Sequence, residues 1–227
     1  MKLSNQFSDC QQTALLEALR VICRIFWGPA PEHCKQMLHG DFLRPFEQLG
    51  AVLSGELSEA LQKIVSIVAD FADADSLFCH LEETYVSLFI THKEGIVAPL
   101  YQSCYEFKNA PMMGPSAIMM KQRLESKGLS LTNHLHEPPD HLAIELEYLY
   151  FLMEKGWSDN NDDFIDEASS FASKIMLPWV TEFQQRITTK RQFAFFYSVA
   201  TILCALLNCI GAFNRSQMGA ESFPALR

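Results

Sequence analysis

The residues best suited to chemistry in this chain lie together in Glu137-Pro138-Pro139-Asp140-His141, with His134 and His136 just before them. His-x-His spacing could supply two metal ligands, and an acid nearby could orient one of them. His134, His136, Asp140 and His141 together would then suit an all-α, metal-dependent phosphohydrolase. In that class the motif runs His-Asp, whereas here it runs Asp-His, and no second histidine cluster completes the set. Without a metal, the same carboxylates and imidazole could hold a cationic ligand at the surface. A third reading is purely structural. Two prolines bar a regular helix through the junction and favour an extended chain before them. Asp140 and His141 would then only mark the start of the helix that follows.

Other chemistry lacks motif support. The chain contains no Gly-x-x-x-x-Gly-Lys-Ser/Thr loop, no Gly-x-Gly-x-x-Gly, no His-Glu-x-x-His and no Gly-x-Ser-x-Gly. A formal charge of −9 argues against a nucleic-acid binder and favours basic or neutral partners. The cysteines (Cys10, Cys23, Cys34, Cys79, Cys104, Cys204 and Cys209) are odd in number and never spaced Cys-x-x-Cys, so they read as free thiols and small core residues. The first residues lack the apolar region of a signal peptide. Free thiols and no export signal point to the cytoplasm.

The elements that must position the motif read as helices throughout. Leu15, Leu19, Ile22 and Phe26 recur at helical spacing over residues 8–27, and Gly28-Pro29-Ala30-Pro31 stops them. Helices are expected over residues 32–39 and 42–53, then over 57–74 on the stripe Leu57, Leu61, Ile64, Val65 and Val68. Asp75-Ser76 offers a cap for the next helix, which carries Leu77, Phe78, Leu81, Tyr85, Leu88 and Phe89. Residues 91–115, punctuated by Gly95, Pro99, Pro111, Gly114 and Pro115, form a connection long enough to be functional. Its Tyr101, Tyr105 and Phe107 imply that it is packed. A helix over 116–127 closes on Gly128.

After the motif, Leu142, Leu146, Leu149 and Met153 form a core stripe. Glu145, Glu147 and Glu154 are placed toward solvent, with Glu145 one turn from His141 and able to pair with it. Gly156 is expected to end this helix. Asp159, Asp162, Asp163, Asp166 and Glu167 suit a solvated helix start, or an acidic rim for a basic ligand. Pro178 should kink or restart the helix around it. Residues 193–213 carry no charge, so a membrane span is permitted by length, but Tyr197, Ser198, Thr201 and Asn208 favour a buried central helix. No strand pattern appears. The chain is therefore expected to be all-α, a single compact helical domain over 1–227. Its N-terminal part, 8–127, and C-terminal part, 138–213, join near residues 128–141, and a tail covers 214–227.

Several landmarks recur in one order: Tyr85-x-x-Leu88-Phe89, Pro99-Leu100-Tyr101-Gln102-Ser103-Cys104-Tyr105, Gly128-Leu129, Glu137-Pro138-Pro139-Asp140-His141 with its following helix, and Leu177-Pro178-Trp179. That order resembles the TorD/DmsD family of cytoplasmic chaperones for molybdenum-containing redox enzymes, over roughly residues 75 to 215. Two positions depart from the family pattern. Ile175, in Ile175-Met176-Leu177-Pro178-Trp179, stands where the family often has the histidine of His-Leu-x-Pro-Trp, so no role of that histidine carries over, and Cys104 stands where the family often has an aliphatic residue.

The resemblance implies a chaperone and not an enzyme, with no cofactor of its own. It would bind the twin-arginine leader and the apo form of a molybdenum reductase of the trimethylamine-oxide or dimethyl-sulfoxide type. The reductase's molybdopterin-type cofactor would be present during transfer, and export would wait until folding is complete. An Arg-Arg pair followed by an apolar stretch calls for carboxylates beside an apolar groove. Glu137 and Asp140 are the candidate acids, and His141 would orient Asp140 or donate to the peptide. Tyr85, Leu88, Phe89, Tyr101 and Trp179 are the candidate apolar lining. No nucleic acid and no stable membrane insertion are expected. The Pro-Pro junction could hinge to exchange helices in a homodimer or be rigid, so monomer and dimer both stay open.

Overall fold

A computed structural model describes residues 7–50, 55–91, 95–107, 110, 112–131, 137–187 and 191–214. Among these residues the chain is helical, with no strand and one isolated antiparallel bridge, Tyr101 to His141. His134 and His136 lie outside the described residues, as does the tail after Asn214.

Helix α1, Asp9–Trp27, starts at a capping box in which the Ser8 side chain accepts from the Gln11 N–H and the Gln11 side chain accepts from the Ser8 N–H. Its stripe of Leu15, Leu19, Ile22 and Phe26 is fully buried. It ends at Gly28, whose φ of 121° excludes other residues without strain. Proline opens α2, Pro31–Leu38, and lies in the first turn of α3, Arg44–Leu49, where its missing N–H costs nothing. Helix α4 runs Gly55–Ala69 and α5 runs Ala74–Tyr85. The α5 cap is Asp73, two residues earlier than the sequence suggests, and it accepts from the Ser76 N–H at 2.8 Å. The helix then continues through a π-helical turn, Val86–Ile90, which re-aims Leu88 and Phe89 into the core.

The long connection after α5 is packed in part. Tyr101 and Tyr105 are half-buried around a 3-10 turn, Gln102–Tyr105, whereas Phe107 is exposed, against expectation. Helix α6, Pro115–Ser126, closes with the Gly128 N–H on the Glu125 carbonyl and the Leu129 N–H on that of Leu124, the pattern of a left-handed glycine cap.

Helix α7, Leu142–Ser158, is the central element. Ten of its residues are buried, spread around its circumference, and α1 and α8 pack against it. It runs through Gly156 instead of ending there, because α8 (Asp162–Ser170) crosses at that point. A Cβ on Gly156 would fall 2.4 Å from Ile165 Cδ1 and 3.2 Å from the Ile165 backbone nitrogen. Gly156→Ala should therefore destabilise the protein despite about 1 kcal/mol of improved helix propensity, since overpacking costs about 1–3 kcal/mol. Adding Ile165→Val should recover part of the loss, read as the melting temperature of the single and double variants.

A second π-helical turn, Phe171–Met176, leads into α9, Leu177–Arg186, with Pro178 in its first turn. Helix α10, Ala194–Gly211, is apolar and long enough to cross a membrane by composition, yet 67% of that stretch is buried inside the protein. It packs on α4, α9 and α8 as a core helix. Helices from before and after the Pro-Pro junction thus share one hydrophobic cluster.

Candidate functional site

The motif is fastened to the 3-10 turn by backbone and side chain together. The Gln102 N–H donates to the Asp140 carbonyl at 3.0 Å, and the Leu142 N–H donates to the Leu100 carbonyl at 2.8 Å. Between them the Asp140 carboxylate accepts the Ser103 N–H at 2.8 Å. Three bonds thus clamp segment 100–103 onto segment 140–142. Gly114 and α6 close over the same turn. The Glu106 carboxylate accepts from the Ser116 N–H at 2.7 Å and from the Ser116 hydroxyl, and a Cβ on Gly114 would meet Glu106 and Ser103 at 2.9 and 3.1 Å.

His141 is the N-cap of α7. Its Nδ1 accepts the Ala143 N–H at 3.2 Å, which places the proton of the neutral ring on Nε2. The ring stacks on Trp27 at 5.0 Å and meets Tyr101 edge-on at 5.3 Å. Burial holds its pKa down at about 4, against a smaller opposing pull from Glu137. The Tyr101 hydroxyl donates to Glu137 Oε2 at 2.6 Å. Burial raises the Tyr101 phenol, and the Glu137 carboxylate adds to the shift, so this hydroxyl stays a donor. Trp27 in turn donates from its indole N–H to Glu147 at 2.9 Å. The result is a continuous array, Glu137–Tyr101–His141–Trp27–Glu147, buried at His141, half-buried at Glu137, Tyr101 and Trp27, and exposed at Glu147, with a carboxylate at each end.

Beneath the array lies a fully enclosed pair of carboxyl groups. Asp140 and Glu145 are each 0% exposed and His141 is 3% exposed. Glu145 Oε2 accepts the Trp179 indole N–H at 3.1 Å, which ties α7 to α9. Among the described residues, Glu145 Oε1, Asp140 Oδ1 and the Ser103 hydroxyl have no hydrogen-bond partner. Desolvation raises the Glu145 pKa well above the usual carboxylate range. The Asp140 charge pushes the same way, and the Trp179 hydrogen bond opposes. A neutral Glu145 carries an O–H, the kind of donor that an unpartnered carboxylate oxygen beside it lacks.

Set against the sequence expectations, these placements divide the candidates. Glu137, Tyr101 and Tyr85 are half-buried and reach the surface. The Tyr85 hydroxyl donates to the Phe26 carbonyl at 2.9 Å, and its ring packs edge-on against Phe89. Leu88, Phe89 and Trp179 belong to the core. Asp140 and His141 are interior, not presented at the surface, because the clamp and the Trp27 ring cover them. Glu145 likewise faces inward, toward Trp179, and not toward solvent or His141. As possible metal ligands, Asp140 Oδ2 and His141 Nδ1 are both taken by backbone N–H groups. Among the described residues no group of three or more His, Cys, Asp and Glu is placed to hold a metal.

Sequence reasoning missed Trp27, Ser103 and Glu145 as members of the site. For Trp27 a signal existed, since it stands immediately before Gly28-Pro29 at a helix end. Glu145 carried one in its one-turn spacing from His141, but was placed toward solvent, and for Ser103 there was none beyond its place in a recurring segment.

A family model and the sequence relatives agree on one group. The family model for the nitrate reductase delta subunit matches residues 52–185, more than half of the chain. The chaperone protein TorD of Vibrio vulnificus is 27% identical over 161 residues, covering 69% of this chain and 74% of that protein. TorD of Vibrio cholerae is 23% identical over 207 residues, covering 85% and 93%. A solved structure titled a putative redox enzyme maturation protein, from Archaeoglobus fulgidus, aligns at 22% identity with a TM-score of 0.49, over 87% of this chain and 96% of that one.

Proposed function

The chain belongs to the nitrate reductase delta subunit family, as a TorD-type chaperone for redox-enzyme maturation, and from that premise we propose that it binds the twin-arginine leader of a molybdenum reductase precursor. It holds the apoprotein in the cytoplasm while the client's molybdopterin-type cofactor is inserted, and releases it for export afterwards. The observation that supports leader binding is the half-exposed Glu137 carboxylate. One of its oxygens is fixed by Tyr101, the other has no bond to a described side chain, and Trp27 and Tyr85 offer apolar surface nearby. Such a group suits a guanidinium, whose donors match a carboxylate held in a fixed plane.

In this reading Glu137 takes the arginine contact. Asp140 and His141 act through position, holding segment 100–103 and the Trp27 ring so that Tyr101 and Glu137 stand where the leader needs them. Titration of a synthetic twin-arginine leader against wild type and Glu137→Gln tests this. The variant should bind about tenfold more weakly, as loss of one partly exposed charge-assisted contact implies. Raising salt should weaken the wild type more than the variant. An unchanged affinity in folded Glu137→Gln would remove Glu137 from the site.

A further inference from the structure

A different cleft lies between α1, α2 and α3, and all of its lining precedes residue 52, outside the stretch matched by the family model. It holds about 450 Å³ of open space, within the range of sites for small organic molecules. Its floor is apolar, formed by Ala14, Ile25, Met37 and Phe42, all buried. Its rim is polar and carries two arginines from different elements, Arg24 of α1 and Arg44 of α3. Neither arginine forms an ion pair among the described residues. Two acids also line the rim. Glu17 is neutralised by Arg20 at 2.8 Å, which leaves Asp41 as the one acid set against two arginines. Burial, with a contribution from Arg24, disfavours the charged form of His33 on the same rim, which leaves it a neutral hydrogen-bonding group. In a chain of net charge −9, two arginines without ion-pair partners among the described residues stand on one rim above an apolar floor.

We propose that this cleft binds a small molecule with an apolar body and a single anionic group, a carboxylate or a phosphate. The apolar body lies against Met37, Phe42 and Ile25 and displaces water from the cleft above them. The anionic group lies between Arg24 and Arg44. Either anion satisfies guanidinium donors, so the head group is defined by its charge and the body by the floor. The site is separate from the motif, so its occupancy and leader binding are measurable independently.

Calorimetric titration with 2-naphthyl phosphate, 2-naphthoate and the neutral 2-naphthol tests the proposal on the full chain. One equivalent of at least one anion should bind saturably with sub-millimolar affinity, and which of the two binds more tightly assigns the head group. 2-Naphthol should bind at least about tenfold more weakly, as should either anion to Arg24→Ala/Arg44→Ala. Gln36→Trp, a change at an exposed lining position that fills the cleft, should abolish binding while leaving the melting temperature near that of wild type. Equal binding of 2-naphthol and the anions, or unchanged binding to both variants, overturns the proposal. So does the absence of saturable binding by either anion.

Discussion

Asp140→Ala should lower the urea midpoint of unfolding by about 1 M, a loss of about 2–4 kcal/mol, while Asp140→Asn should stay within about 1 kcal/mol of wild type. The alanine leaves the buried Ser103 N–H without its acceptor and opens space next to Glu145. Relief of the repulsion between the two carboxylates offsets only part of that. Asparagine keeps an oxygen for the Ser103 N–H and adds an NH2 that can meet Glu145 Oε1 or the Ser103 hydroxyl, two of the atoms now unpartnered. The pair of variants also separates two roles. If Asp140 touched a leader arginine, Asp140→Asn would lose affinity with its stability intact. A positioning residue instead predicts leader affinity within about twofold for the asparagine, and loss only where the clamp fails. Leader titration of both variants beside their urea curves decides it, and a folded asparagine variant that no longer binds would return Asp140 to the contact surface.

The all-helical architecture was legible in the sequence because amphipathic spacing is a local property. Leu15, Leu19, Ile22 and Phe26 needed only each other to mark the buried face of α1, and Gly28 to end it. Central helix α7 was harder for the opposite reason. It is covered on almost every side, so the face that looked polar, with Glu145, is buried under α9. A charged residue on a helix reads as solvent-facing unless its partner is known, and Trp179 lies 34 residues away. The same distance problem hid the clamp. Ser103 reaches Asp140 across 37 residues through a 3-10 turn that leaves no periodic signal. Only the recurring order of short segments marked both ends as belonging together, and it did so without saying which residues would face inward. The two π-helical turns were also invisible, since each inserts a single residue's worth of rotation into an otherwise helical pattern.

The buried acid and the buried imidazole make opposite claims on stability as pH changes, and that opposition is measurable. Glu145 has its pKa raised in the folded state, first by desolvation. Its contribution is complete below the unfolded value, about 4.3, and is lost as pH rises toward the folded one. His141 has its pKa lowered from 6.5 to about 4. Its contribution is complete above the unfolded value and is lost as pH falls through that window. Above the unfolded carboxyl value the folded chain keeps a proton at Glu145 that the unfolded chain releases, and between about pH 4 and 6.5 it lacks one at His141 that the unfolded chain takes up. The two slopes have opposite sign, so where they overlap they offset one another.

As pH rises above the unfolded carboxyl pKa, Glu145→Gln should therefore gain stability relative to wild type. His141→Asn, which retains a good helix cap, should become less stable relative to wild type between about pH 4 and 6.5. Above about pH 6.5 the histidine contribution no longer changes, so any remaining difference in slope separates Glu145→Gln from the two proteins that keep Glu145. Urea unfolding of the three proteins at half-unit steps from pH 4 to 8 measures all of this. Parallel curves for wild type and Glu145→Gln would mean that Glu145 ionises in the folded protein as readily as in water. The enclosed carboxylate pair beneath the motif would then have to be hydrated.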